Sequence, residues 1–219
     1  MRLVNNLKGK NEMFKKISMT ILGILLIYSA VAFAMKAAIG VLPVDAAIAS
    51  IAGLIGMKVG NFSMLFHGSF FVGQLILEGR NFRKTEYLQI LYVTLGGAVL
   101  NFFLYTVLKN VSFDVYIVRL VVCLLSFVVS SFGCILVLET KLMRTPMEGF
   151  TQLVADRLGT TIGKLRQKID VVLVIISVAI SLIFGIEWTL REGTVIAALL
   201  FGPLMDFWKG VFARRNAVA

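Results

Sequence analysis

The stretch Pro43-Val44-Asp45-Ala46-Ala47, running on to Gly56 and Val59-Gly60-Asn61, occurs twice in this chain. Shifted by 103 positions, Pro43 falls on Pro146, Asp45 on Glu148 and Ala52 on Ala155. The same shift puts Gly56 on Gly159, Val59-Gly60 on Ile162-Gly163 and His67 on Asp170, with no gap. At an offset of 105, Gly97 falls on Gly202, Asn101 on Asp206 and Phe102 on Phe207. A chain that repeats itself at half its length consists of two copies of one unit.

Long apolar blocks surround both copies. Of the 219 residues, 58% are hydrophobic and only 16% charged, and the mean hydropathy is +0.90. A soluble domain is about half apolar and about a quarter charged. The chain therefore reads as a polytopic membrane protein. Its net charge of +10 does not point to nucleic acid, because the positive residues lie between apolar blocks, where they act as orientation signals. Cys123 and Cys134 fall in one expected helix, about 16 Å apart, too far for a disulfide within it.

Working outward, residues 1–16 are polar and basic, and 17–38 form a first spanning block. A cleaved signal peptide ending at Ala32-Phe33-Ala34 is the competing reading. The block is long for that role, and its counterpart before Pro146 cannot be removed. Residues 43–55 suit a helix with Pro43 in its first turn and Gly56 after its last. At about 20 Å it is too short to span, so it is interfacial or re-entrant. Further spans are expected at 61–77, 87–108, 115–138, 169–186 and 193–208. Thr145-Pro146-Met147-Glu148 reads as a capping box opening a second short helix to Leu158.

Charge sets the expected topology. With the N-terminus cytoplasmic, segments 1–16, 78–86, 139–168 and 209–219 lie inside and carry 17 of the 22 Lys and Arg residues. The other five are Lys36, Lys58, Lys109, Arg119 and Arg191. That asymmetry follows the positive-inside rule. The expected fold is all-α, with six spans as two inverted three-helix repeats, 17–108 and 115–208. Each repeat carries a short non-spanning helix after its first span. A basic tail, 209–219, joins the N-terminus in the cytoplasm.

Ionisable groups within spans are costly and are functional candidates by default. His67 and Asp170 correspond across the repeat, as do Asn101 and Asp206. These four are the expected substrate or ion contacts. Three have a structural alternative: an interhelical hydrogen bond for His67, a pair with Arg166 or Lys168 for Asp170, a pair with Lys209 for Asp206. Asp170 and Asp206 are expected at similar depth on neighbouring helices. Pro43, Asp45, Pro146 and Glu148 mark the N-termini of the short helices, where the carboxylates also suit the helix dipole. Arg119 reads as an interfacial anchor. Gly96-Gly97 reads as a close helix contact. No metal set, nucleophile elbow or phosphate loop is visible, so neither an enzyme nor a cofactor is expected.

Gly40-Val41-Leu42-Pro43-Val44-Asp45 followed by Gly60 resembles the first half of the bacterial YczE/YyaS/YitT family of membrane proteins. Thr145-Pro146-Met147-Glu148-Gly149, Asp170, Glu192-Gly193-Thr194 and Gly202-Pro203-Leu204-Met205-Asp206 resemble its second half. The likeness covers about residues 20–210. Val44 stands where that family often has an aromatic, and Asn101 where Asp is common. The resemblance implies an integral protein of the bacterial cytoplasmic membrane and brings no substrate with it. Inverted repeats are frequent in secondary transporters. A small-solute secondary transporter in the lipid bilayer, with or without coupling to an ion, is therefore the expected function. The rivals are a solute-binding subunit energised by a partner and a non-transporting scaffold or regulator; a homo-oligomer is compatible with any of these.

Overall fold

The structure is a computed structural model that describes residues 2–185 and 190–218, with side chains described over 11–185 and 190–214. Ile186, the expected end of the fifth span, lies outside the described residues, as does the side chain of Arg215 in the tail. Among the described residues there are eight α-helices: α1 (Arg2–Ala37), α2 (Pro43–Leu54), α3 (Val59–Glu78), α4 (Leu88–Phe102), α5 (Tyr116–Thr140), α6 (Pro146–Arg157), α7 (Ile162–Phe184) and α8 (Glu192–Val218). Two 3₁₀ turns, Gly79–Asn81 and Lys84–Tyr87, lie between α3 and α4. A π-helical turn over Phe103–Val107 extends α4. Among the described residues every regular element is helical.

Among the described residues five stretches are long and apolar enough to cross a membrane: Asn11–Ala37, Lys84–Val107, Tyr116–Thr140, Ile162–Phe184 and Glu192–Arg214. The sixth expected span, α3, qualifies only together with α2, and the two are bent by 119° at their break. Asn61, His67 and Gln74 dilute its apolar face. The two short helices appear where expected, each of 12 residues with proline in the first turn. Helix α1 is a departure. It starts at Arg2 rather than near Ile17. The polar segment contains no proline and only one glycine, Gly9, so nothing breaks the helix before the apolar block.

Helices α1 and α5 run antiparallel through the centre. Arg119, near the start of α5, donates to the carbonyls of Ala37 and Ala38 at the end of α1. At the opposite end Thr20 donates to Thr140. Their backbones touch at Gly23 and Gly133. A Cβ added to either would sit 2.7–2.8 Å from the other's carbonyl oxygen. Ile24, Ile27, Tyr28, Val31, Tyr92, Leu100 and Val137 fill the core around them. Helix α4 packs on α1, and α8 on α5. Helix α2 packs on α7 and α3; α6 packs on α3 and α7. Helices α3 and α4 pack closely, whereas α7 and α8 share no extended interface.

The backbone's unusual residues also come in pairs. Among the described residues Ala38 (φ 50°) and Lys141 (φ 53°) are the non-glycine residues with positive φ, and they are 103 positions apart. Gly56 (φ 66°) and Gly159 (φ 62°) close the two short helices in the same way.

Candidate functional site

The sequence candidates scatter into three settings. Asn101 is a joint between helices. Its Oδ1 accepts from the Gly60 backbone N–H at 2.9 Å, and its Nδ2 donates to Asn61 Oδ1 at 2.7 Å. The amide thus satisfies an orphan donor in the first turn of α3. Beside it Gly97 packs on Gly60, the close contact expected for that glycine pair. Asp206 is exposed on α8, and among the described residues it forms no ion pair, with Lys209 or otherwise. Asp170 pairs with Arg166 one turn earlier on α7 at 3.2 Å, half exposed. Because α7 packs on α2 and α6 while α8 packs on α5, Asp170 and Asp206 are not neighbours, contrary to expectation.

Asp45 and Glu148 both lie within electrostatic range of Cys134. The field of Arg166 reaches both Asp45 and His67. His67 stands edge-on to Phe66 and Tyr92, with ring centroids 5.6 and 6.2 Å away. Its Nδ1 is buried with no hydrogen-bond partner among the described residues. Asp45 faces α5, lining a cavity of about 10 Å³ with Ser126 and Ser130, room for about one water. Pro43 opens α2 without a side-chain cap. Thr145 likewise makes no capping hydrogen bond, so the expected capping box does not form. Its intended partner Glu148 lines a larger cavity with Arg144 and Arg166.

That larger cavity, about 370 Å³, lies at the end of the molecule where α5 stops. Its walls include Arg144, Glu148, Gln152, Ile162 and Arg166. Behind it is a buried polar network that sequence reasoning missed. Gln74, Glu86 and Gln89 are all 0% exposed. Gln74 Nε2 donates to the Pro146 carbonyl at 2.7 Å and to Gln89 Oε1 at 2.8 Å. Gln89 Nε2 donates to Gln74 Oε1 at 3.1 Å and to Glu86 Oε2 at 2.7 Å. Arg144 closes the network. Its backbone N–H and Nε reach the two Glu86 oxygens at 3.0 Å each, and Nη2 reaches Glu78 at 2.8 Å. Burial works against the Arg144 charge, but the hydrogen bonds to Glu78 and the field of Glu86 overcome it and hold the guanidinium pKa above its ordinary value. Glu86 sits in a charged segment and read as a loop residue. The available signal was Gln74, an amide in an otherwise apolar span that must find partners.

A second cavity, about 570 Å³, lies at the opposite end, where α1 stops. Met35, Lys36, Val41, Ala49, Tyr105 and Lys109 are among its lining residues. Tyr105, on the π-helical turn, accepts from the Val59 N–H at 3.1 Å. Lys58 stands over the Tyr105 ring, 5.6 Å from its centroid. Among the described residues no group of three or more His, Cys, Asp or Glu could hold a metal ion.

The helices define a multi-pass helical membrane protein. Residues 14–210 match DUF6198, a family of unknown function, and the chain belongs to that family. It is also similar to the uncharacterized protein YyaS of Bacillus subtilis (strain 168), 21% identical over 193 residues. The match covers 88% of this chain and 92% of that relative. The resemblance carried by the Pro43 and Pro146 motifs thus holds over most of the chain. No solved structure matches.

Proposed function

We propose that this protein is a secondary transporter for a small solute, built from two three-span units of opposite orientation, about 17–108 and 115–208. Both termini would lie in the cytoplasm of a bacterial cell, and no catalytic step is part of the reading. The observation that carries it is the pairing of the two cavities. Val41, Ala49 and Val59 line one; Arg144, Gln152 and Ile162, each 103 positions on, line the other. The same place in each unit thus opens at opposite ends of the molecule.

The packing supports the same exchange. Swapping α1–α4 with α5–α8 turns the α2–α7 contact into α6–α3, α1–α4 into α5–α8 and α2–α3 into α6–α7. It maps α1–α5 onto itself. The loop before each short helix is held by the segment that opens the third span of the other unit. Gly193 N–H donates to the Ile39 carbonyl, and Glu86 accepts from the Arg144 N–H. The α3–α4 contact, with no α7–α8 counterpart, is the departure. Two similar units of opposite orientation can rock between states of similar energy. Asp45, His67, Glu148, Arg166 and Asp170 are the polar groups that a solute or coupling ion would meet on this reading. Asn101 and Asp206 have no part in this path.

The test needs no knowledge of the solute. Ala49→Cys reports one cavity and Gln152→Cys the other, in a background lacking Cys123 and Cys134. In proteoliposomes, a bulky thiol reagent attached at one position should slow labelling of the other from the opposite side. Independent labelling would count against rocking. A flux screen of metabolites on the same liposomes separates the rivals. Affinity without flux would mean a binding subunit, and neither would mean a scaffold.

A further inference from the structure

We infer that the cavity at the end of α1 binds an organic anion, with a carboxylate or phosphate head held by lysines and an apolar body against the walls. This rests on the transport reading only in naming the charge class of the solute, since the site itself does not require flux.

The argument begins with charge. Five of the 22 Lys and Arg residues fall outside the segments assigned to the cytoplasm. Three of those five gather at one cavity. Lys36 and Lys109 line it, and Lys58 stands over Tyr105 in its wall. No lining residue carries negative charge. Among the described residues none of the three lysines has a carboxylate within salt-bridge range. Lys36 Nζ has one hydrogen bond, to the Lys109 carbonyl, at 3.5 Å. An ammonium carries three donors, so donors are left over at each position. Like charges gathered without counter-charge repel one another, and an anion relieves that repulsion.

The contrast with the other cavity sharpens the point. There Arg144 is bonded to Glu78 and Glu86, and Arg166 to Asp170. Cations at that end are already neutralised by the protein; at the α1 end they are not. The rest of the wall is Ala34, Met35, Val41, Ala49, Val59 and Leu104, which suits an aliphatic or aromatic body. The volume falls within the range of small-molecule sites.

The experiment uses full-length protein in phosphatidylcholine nanodiscs, with Cys123 and Cys134 replaced and Ala49→Cys as reporter. Leu104→Cys, on the facing wall, serves if that variant does not fold. Labelling rates are measured with an anionic reagent, 2-sulfonatoethyl methanethiosulfonate, and a cationic one, 2-trimethylammonioethyl methanethiosulfonate. Each rate is divided by the reagent's rate with a free thiol. The anionic reagent should be favoured by about tenfold or more. Lys36→Gln with Lys109→Gln should abolish that preference, while Lys36→Arg with Lys109→Arg should keep it. Hexanoate or hexyl phosphate should slow labelling severalfold, and hexanol and hexylamine should not. Protection by these probes in pure phosphatidylcholine identifies a free solute. Protection only when phosphatidylglycerol is added identifies a lipid headgroup, and either result supports the site. A charge preference indifferent to both lysines, or no protection from any anion, overturns it. Protection without flux in liposomes would leave the site standing and remove the transport reading alone.

Discussion

Glu86 is wholly buried, and Arg144 is the cation that pairs with it there. Removing Glu86 takes the acceptor from the buried Gln89 amide and the Arg144 N–H while Arg144 keeps Glu78, which costs about 1–3 kcal/mol. Glu86→Ala is therefore expected to destabilise the purified protein by that order, read as a lowered unfolding midpoint in detergent. Glu86→Gln keeps the hydrogen-bonding shape and should lose less. Gly149 serves the same network. A Cβ there would lie 2.2 Å from Gln74 Oε1, and Gln74 is held in place by Pro146 and Gln89. Gly149→Ala should cost about 1–3 kcal/mol through that clash. Asp170→Asn removes only a half-exposed pair one turn apart, so its effect on stability should be under about 1 kcal/mol. These differences were not legible in the sequence. Asp170 sits in an apolar block and drew the eye; Glu86 sits among Arg83, Lys84 and Thr85 and did not. Burial is a property of where chain segments meet, and a local charge pattern does not carry it.

At the scale of elements, most of the architecture could be read directly. Proline in the first turn and glycine after the last bound both short helices, and the apolar blocks marked the spans. What the sequence withheld was which helices touch. Similar depth suggested that Asp170 and Asp206 meet, but depth along two helices says nothing of their lateral order. The joint between α3 and α4 shows how a single polar side chain fixes such order. Asn101 satisfies the first turn of α3 and bonds Asn61 as well. Asn101→Ala should cost about 0.5–2 kcal/mol, the range for a lost helix cap. Asn101→Asp keeps the acceptor for Gly60 and should be milder, with the order of the two unfolding midpoints as the check.

For the whole molecule the proposed inverted repeat makes a simple demand on topology. On the proposed reading, with the units oppositely oriented, loop 78–86 would face the cytoplasm and loop 109–114 would face out. Ser112→Cys should react with a membrane-impermeant reagent in intact cells, in a background without the native cysteines. Arg80→Cys should react only after lysis. The reverse pattern would sink the topology. The two units are also interleaved rather than set side by side. Helix α3 packs on α6 and α2 on α7, so neither half contains a finished core.

That interleaving has a consequence for how the chain is made. Arg144 follows Glu86 by 58 residues. At elongation speeds of about 5–20 residues per second, the ribosome takes about 3–12 s to reach it. Throughout that interval the newborn first half carries a carboxylate destined for burial and a cleft that α6 and α7 will later fill. A polypeptide stopped at residue 140 should accordingly be cleared sooner than one stopped at 160, which contains Arg144 and the whole of α6. Pulse-chase half-lives of the two would measure how long the first half can wait.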